Sequence, residues 1–110
     1  MSPQRPVAVV LVSGPDLSSM RELATTVVSE RLAACANVLP GAVSIYRWEG
    51  RLETADEVMV ILKTVPSRAV HLEQRITELH PYEVPEVVVL TSTGGSKAYA
   101  DWVHDCVEGE

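Results

Sequence analysis

Phenylalanine is absent from this chain, and its aromatic complement is two tryptophans and three tyrosines. A core without Phe must be aliphatic, and Val, Leu, Ala and Ile make up most of the 46% hydrophobic fraction. The few aromatic rings are therefore free for other work. Two cysteines cannot form a disulfide framework in a chain of 110 residues, which at that length needs no covalent staple. The opening Met1-Ser2-Pro3-Gln4-Arg5-Pro6 also lacks the apolar stretch of a secretory signal, so the expected compartment is a reducing cytoplasm. The longest apolar runs, 7–12 and 58–62, fall far short of the roughly 20 residues that span a bilayer. No membrane segment is expected.

Basic clusters are missing too. With a formal charge of -6 and no Lys/Arg stripe, the chain is no tracker of nucleic-acid phosphates; the acidic balance suits attraction of cations. No repeat, low-complexity tract or linker divides the sequence, which reads as one domain over residues 1–110. Cys-x-x-Cys, His-Glu-x-x-His, Gly-x-Ser-x-Gly and Gly-rich phosphate loops are all absent, so neither a zinc site nor a hydrolase triad is declared, and no enzyme is expected.

What is present is a clear succession of elements. The β-branched run Val7 to Val12, ended by Ser13-Gly14-Pro15, predicts a central strand covered on both faces. Asp16, Ser18 and Ser19 offer N-cap oxygens, Ser19 and Glu22 have capping-box spacing, and apolar residues recur at three and four through Leu32. Those signals predict an amphipathic helix over about 17–33. Cys35 to Arg47 and Arg51 to Val65 read as the two long arms of a hairpin with a Gly-containing turn, and Pro40-Gly41 predicts a bulge in the first arm. A second helix spans 67–79, stopped by Pro81; a strand follows over 85–91. After Gly94-Gly95, Ser96 caps a final helix on which Tyr99, Trp102, Val103 and Cys106 share a face.

This order predicts an α+β, ferredoxin-like βαββαβ sandwich with a long β2–β3 hairpin and a C-terminal helix. Two helices cover only one sheet face. The other face and the long hairpin arm need a cover that this chain does not supply, which predicts a closed homo-oligomer.

The most chemically loaded stretch is His80-Pro81-Tyr82-Glu83-Val84-Pro85-Glu86. Two prolines restrict its backbone while it presents an imidazole, a phenol and carboxylates. It is either a helix stop leading into a strand or a site, with His80 and Glu83 as the candidate metal ligands and His80, Tyr82 and Glu83 the candidates for proton transfer. Period-two alternation places Ser44, Tyr46 and Trp48 on one side of the hairpin arm, to pack across a subunit boundary or to line a ligand cleft. Lys63 interrupts an apolar strand and either reaches out at its end or binds an anion or carboxylate in a pocket. Cys35, among alanines, reads as a small buried hydrophobe. His104 and Cys106 point in different directions on a helix, which argues against a joint metal site, and His71 reads as solvent-facing.

The stretches 30–37 (ERLAACAN), Pro40-Gly41 through 44–50 (SIYRWEG), 61–64 (ILKT) and 80–86 (HPYEVPE) together resemble the CutA-type divalent-cation tolerance proteins, nearly end to end. The resemblance implies a ferredoxin-like fold, a cytoplasmic homotrimer built through long hairpins, and a link to tolerance of copper and other divalent metals. It carries Cys35, Tyr46, Trp48, Lys63, His80, Tyr82 and Pro85 over as matching motif positions. Some members use a cysteine in the first strand and a second histidine beside the motif histidine as copper ligands; Val12 and Leu79 stand there in this chain. The implied Cu²⁺ binding is therefore weak. In shape the family is similar to the trimeric PII signalling proteins, so the alternative is a small-molecule-binding regulatory module with Tyr46, Trp48, Lys63 and Tyr82 in the cleft.

Overall fold

The computed structural model describes residues 5–109. Residues 1–4, part of the opening segment read above for a secretory signal, and residue 110 lie outside the described residues. Seven elements follow in order: β1 (Ala8–Gly14), α1 (Leu17–Ser29), β2 (Cys35–Trp48), β3 (Arg51–Thr64), α2 (Pro66–Leu79), β4 (Val87–Thr91) and α3 (Lys97–Glu108). The strands form one antiparallel sheet in the order β2-β3-β1-β4.

The aliphatic patterning explains the two layers. Met20, Leu23, Ala24 and Val27 of α1 and Leu72 and Ile76 of α2 share a core with Val10, Val12, Val58, Val60 and Leu62 of the sheet. Each of the Val, Leu, Ile and Met side chains among them is worth roughly 1.5–3 kcal/mol when fully buried. A smaller cluster of Val7, Val65, Ala100, Val103 and Val107 seats α3 at the end of the sheet. Gly14 lies where β1 passes the start of α1; a Cβ there would run into Met20 Sδ.

Helix limits follow from local chemistry. Asp16 is the N-cap of α1, its Oδ1 accepting from Ser19 N–H at 2.7 Å, so Ser19 is the capped residue rather than the cap. α1 stops at Ser29, short of the expected 33, because Arg31 adopts φ 61°. Leu32 N–H then reaches Val27 O and Arg31 N–H reaches Val28 O, both at 3.0 Å, the paired bonds of a Schellman ending. Glycine usually holds that position, so the arginine masks the signal. Arg31 also donates to Gly109 O at 3.0 Å. Pro66 opens α2, and Ser96 caps α3 as expected.

On α3 the buried face is Ala100, Val103, His104 and Val107. Tyr99 and Trp102, expected to share the face of Val103, instead point outward, with ring centroids 5.6 Å apart.

β1 is central in order but covered on one face only. Behind it Val9 pairs in register with Leu90, and Leu11 with Val88 and Ile61. Leu90 is 51% exposed and Val88 44%, so the face opposite α1 and α2 is an open apolar surface.

The hairpin gives the molecule its length, 51 Å against 26 and 22 Å in the other directions. Its turn is Glu49-Gly50, with φ 49° and 78°, the positive pair of a type I′ connection. Between Leu39↔Met59 and Ala42↔Glu57 the register shifts: Pro40 and Gly41 (φ 88°) together face the single residue Val58. The expected bulge is there, and it decides which side chains share a face.

Candidate functional site

Residues 80–86 leave α2 and turn toward β4 at a corner of the sheet. β1 ends where Gly14 pairs with Val58, while the hairpin runs on. Glu57 is thus the first β3 residue beyond β1. Pro81 drives His80 out of the helical region to φ -73°, ψ 137°, although its N–H still reaches Ile76 O at 2.9 Å. The side chain then turns inward and is buried.

Both imidazole nitrogens are engaged. Nε2 lies 2.7 Å from Ser13 O, and Nδ1 lies 3.0 Å from Tyr82 N. A carbonyl can only accept and an amide N–H can only donate, so the ring is a neutral imidazole with its proton on Nε2. A metal ion at His80 would have to displace one of these backbone partners. His80 sits behind the site as the peg that holds the loop.

Tyr82, freed by that peg, tilts over the imidazole at a centroid distance of 4.9 Å. Its hydroxyl donates to Glu57 Oε2 at 2.7 Å. Burial, then the carboxylate bond, pushes the phenol up to about 12. Glu57 itself is 9% exposed. Glu86 Oε1 accepts from Ser13 Oγ at 3.4 Å, and Glu83 stands at the rim with neither a side-chain hydrogen bond nor an ion pair among the described residues.

Before the bulge, Ala36 and Val38 pack against the helical core; uninterrupted alternation would place 44, 46 and 48 on that side too. The extra residue reverses this. Ser44, Tyr46 and Trp48 pair with Ala55, Glu53 and Arg51, on the face that Glu57 shares. The result is a groove of about 690 Å³ walled by Ser13, Ser44, Tyr46, Trp48, Glu57 and Tyr82, with Glu83 and Glu86 at its edge.

Of the residues singled out in the sequence, the groove unites Tyr46, Trp48, Tyr82 and Glu83, with His80 behind it. Lys63 is elsewhere: it pairs with Cys35 and Val9 in register and bonds Asn37 Oδ1. Glu53, the partner of Tyr46, is ten positions away on β3, about 33 Å along a strand. Within one chain Lys63 does not reach the groove. Sequence reasoning missed Glu57 and Ser13. A carboxylate directly before the apolar run 58–62 was the visible signal, but only the bulged register shows what it faces.

The other polar candidates have structural partners. Cys35 is half-buried rather than buried, and its Sγ lies 3.4 Å from the Tyr99 hydroxyl. That contact, then burial, pushes the Tyr99 phenol up to about 12. His104 is held between Glu108 Oε1 at 2.7 Å and Pro6 O at 2.8 Å, away from Cys106. His71 is solvent-exposed, as expected. Among the described residues no three His, Cys, Asp or Glu side chains converge as a metal-ligand set, and no helix is long and apolar enough to cross a membrane.

The fold and groove define a class: a small two-layer α+β domain with a solvent-open, acid-lined aromatic cleft at the root of a long hairpin. The chain belongs to the CutA1 divalent ion tolerance protein family, whose model matches residues 8–106. It is 46% identical over 96 residues to the divalent-cation tolerance protein CutA of Citrobacter koseri, covering 87% of this chain and 84% of that one. CutA1 from Oryza sativa superposes with a TM-score of 0.90 at 38% identity, over 96% of this chain and 97% of the rice chain. A protein described as the periplasmic divalent cation tolerance protein CutA from Archaeoglobus fulgidus gives 0.88 at 27% identity, over 92% and 98% of the respective chains.

Proposed function

We propose that the protein serves divalent-cation tolerance, copper included, as a non-enzymatic cytoplasmic homotrimer of ferredoxin-like subunits whose groove lies at the junction between copies. The observation that carries the functional part is the family match across residues 8–106. The strand order β2-β3-β1-β4, with α1 and α2 on one face, supports the ferredoxin-like assignment. The open apolar face around Leu11, Ile61, Val88 and Leu90 supports assembly, since apolar surface of this kind marks an interaction site. Lys63 can join Tyr46 and Trp48 only if a neighbouring copy brings it.

The donor set does not fit a resident copper centre. Both nitrogens of His80 are bound to backbone groups, and Val12 and Leu79 offer no ligand atom. Cations would be held weakly, through the exposed carboxylate of Glu83 and its neighbour Glu86, as hard oxygen donors bind hydrated ions. Growth of a strain lacking this gene on graded Cu²⁺, Zn²⁺ and Co²⁺ tests the reading. Restored tolerance on re-expression of the chain is expected; unchanged sensitivity overturns it.

A further inference from the structure

We infer that the groove beneath the hairpin arm is a receptor for a small organic cation carrying an alkylammonium or guanidinium group. The inference rests on the proposed reading only in using the same groove, and it names the chemical class of the ligand.

Three independent features of the wall agree. The first is charge: Glu57, Glu83 and Glu86 line the groove, and neither Lys nor Arg does. An anionic metabolite such as a nucleotide would meet three carboxylates of like charge along the groove.

The second is Glu57. More than nine-tenths of it is buried, and its side chain's one hydrogen-bond partner among the described residues is a neutral phenol. A buried carboxylate is ordinarily matched by a cation, because desolvation of the charge is otherwise uncompensated. No Lys, Arg or His among the described residues makes an ion pair with it.

The third is the aromatic wall. Tyr46 and Trp48 are 43% and 54% exposed, and neither ring stacks on another among the described residues. A ring face carries the negative end of its quadrupole and attracts a cation lying over it, with Trp the strongest. Carboxylates beside open aromatic faces complement a charged head with an apolar body.

Size separates this ligand from a bare metal ion. A groove of about 690 Å³ lies in the range of small-molecule sites, roughly 300–1,000 Å³. A metal ion needs donors converging within a few ångströms, which the described residues do not supply.

The full-length assembled protein provides its own reporter. In a Trp102→Phe background, Trp48 is the sole tryptophan, and its fluorescence is titrated with choline, putrescine and arginine amide. ATP, glutamate and MgCl₂ at matched ionic strength serve as the other arms. Saturable change with the organic cations alone is expected, weakening as salt rises. Glu57→Gln keeps the shape and the Tyr82 bond, yet should weaken binding by about tenfold or more; Trp48→Leu, which removes the fluorescent reporter, is titrated by calorimetry instead and should weaken it as much, since a single charged or cation–π contact is worth up to about 2 kcal/mol. Ultracentrifugation confirms that each variant still assembles.

Response to ATP or glutamate equal to that for choline overturns the inference, as does binding indifferent to Glu57→Gln. Response to MgCl₂ alone overturns it while leaving the tolerance reading intact. Binding that emerges only in Lys63→Ala assigns the groove to the lysine of a neighbouring copy and likewise overturns it. Organic-cation binding in a protein that restores no metal tolerance upholds the inference and removes the functional reading.

Discussion

His80 Nε2 and the carbonyl of Ser13 are joined by a 2.7 Å hydrogen bond across 67 positions of sequence. That bond ties the end of α2 to the end of β1, and through Nδ1 it also positions the backbone of Tyr82. The loop that walls the groove is therefore anchored by a residue whose imidazole reads, in the sequence, as a ligand.

Replacing His80 by Ala should destabilise the fold by about 2–6 kcal/mol, since a buried carbonyl and a backbone N–H each lose their partner at about 1–3 kcal/mol. Urea unfolding measures the loss, and near-UV circular dichroism follows the displacement of Tyr82. Calorimetry with Cu²⁺ under native conditions should register a larger change for Glu83→Gln than for His80→Ala. The reverse order would make His80 a ligand after all.

Tyr82 imposes a pH limit on the alkaline side. Its phenol is raised from 10.0 to about 12 in the fold, first by burial and then by the bond to Glu57. The folded chain therefore holds this proton more tightly than the unfolded chain. The stabilisation is fully present below pH 10 and is lost as pH climbs from there through about 12. Ultraviolet titration of phenolate absorbance should show one late-ionising tyrosine disappear in Tyr82→Phe, and denaturation midpoints should fall less steeply over that interval in the variant.

Arg31 pays for a left-handed backbone at the end of α1. Arg31→Gly relieves a strain of about 1 kcal/mol, against which only one exposed hydrogen bond to Gly109 is lost. Thermal unfolding should show an unchanged or higher midpoint. Arg31→Val should lower it, because a β-branched side chain resists positive φ.

Deletion of Pro40 removes the extra residue opposite Val58 and leaves Gly41 to face it alone, so Ala42 keeps its register with Glu57. Tyr46 and Trp48 should then keep their face of the hairpin, in a regular strand without the bulge. Trp48 fluorescence and its quenching by acrylamide should stay close to those of the unaltered chain, as should helix content by far-UV circular dichroism. A changed tryptophan environment would show that the strand slips by one residue rather than closing the bulge.

Leu90→Glu places a charge on the open apolar face where Leu90 is paired with Val9. Wild-type chain should sediment as a trimer at micromolar concentration, and the variant at lower mass with its helical content retained. A monomeric wild type would remove the assembly from the proposed function.

Much of the architecture is legible in the residues themselves. The order of strands and helices, the bulge at Pro40-Gly41, the stop at Pro81 and the Ser96 cap all depend on dihedral limits and hydrogen-bond donors that are local properties of the chain. The helix end at Arg31 was hidden because its left-handed turn is stabilised by Leu32 packing against the core, a contact made with distant residues. Cys35 was misjudged for a related reason: an alanine-rich context indicates a small side chain, but not which face of the sheet it occupies.

The sequence by itself determined that this is a single aliphatic-core α+β chain, acid-rich, with a proline-framed motif and a long hairpin. The tertiary structure alone decided that Glu57 is buried beneath Tyr82, that His80 spends both nitrogens on backbone, and that Tyr46 and Trp48 face the same groove. Periodicity reports a side chain's direction relative to its near neighbours. A one-residue bulge and the place where β1 ends set its direction relative to everything else, and those are settled only when strands pair in register.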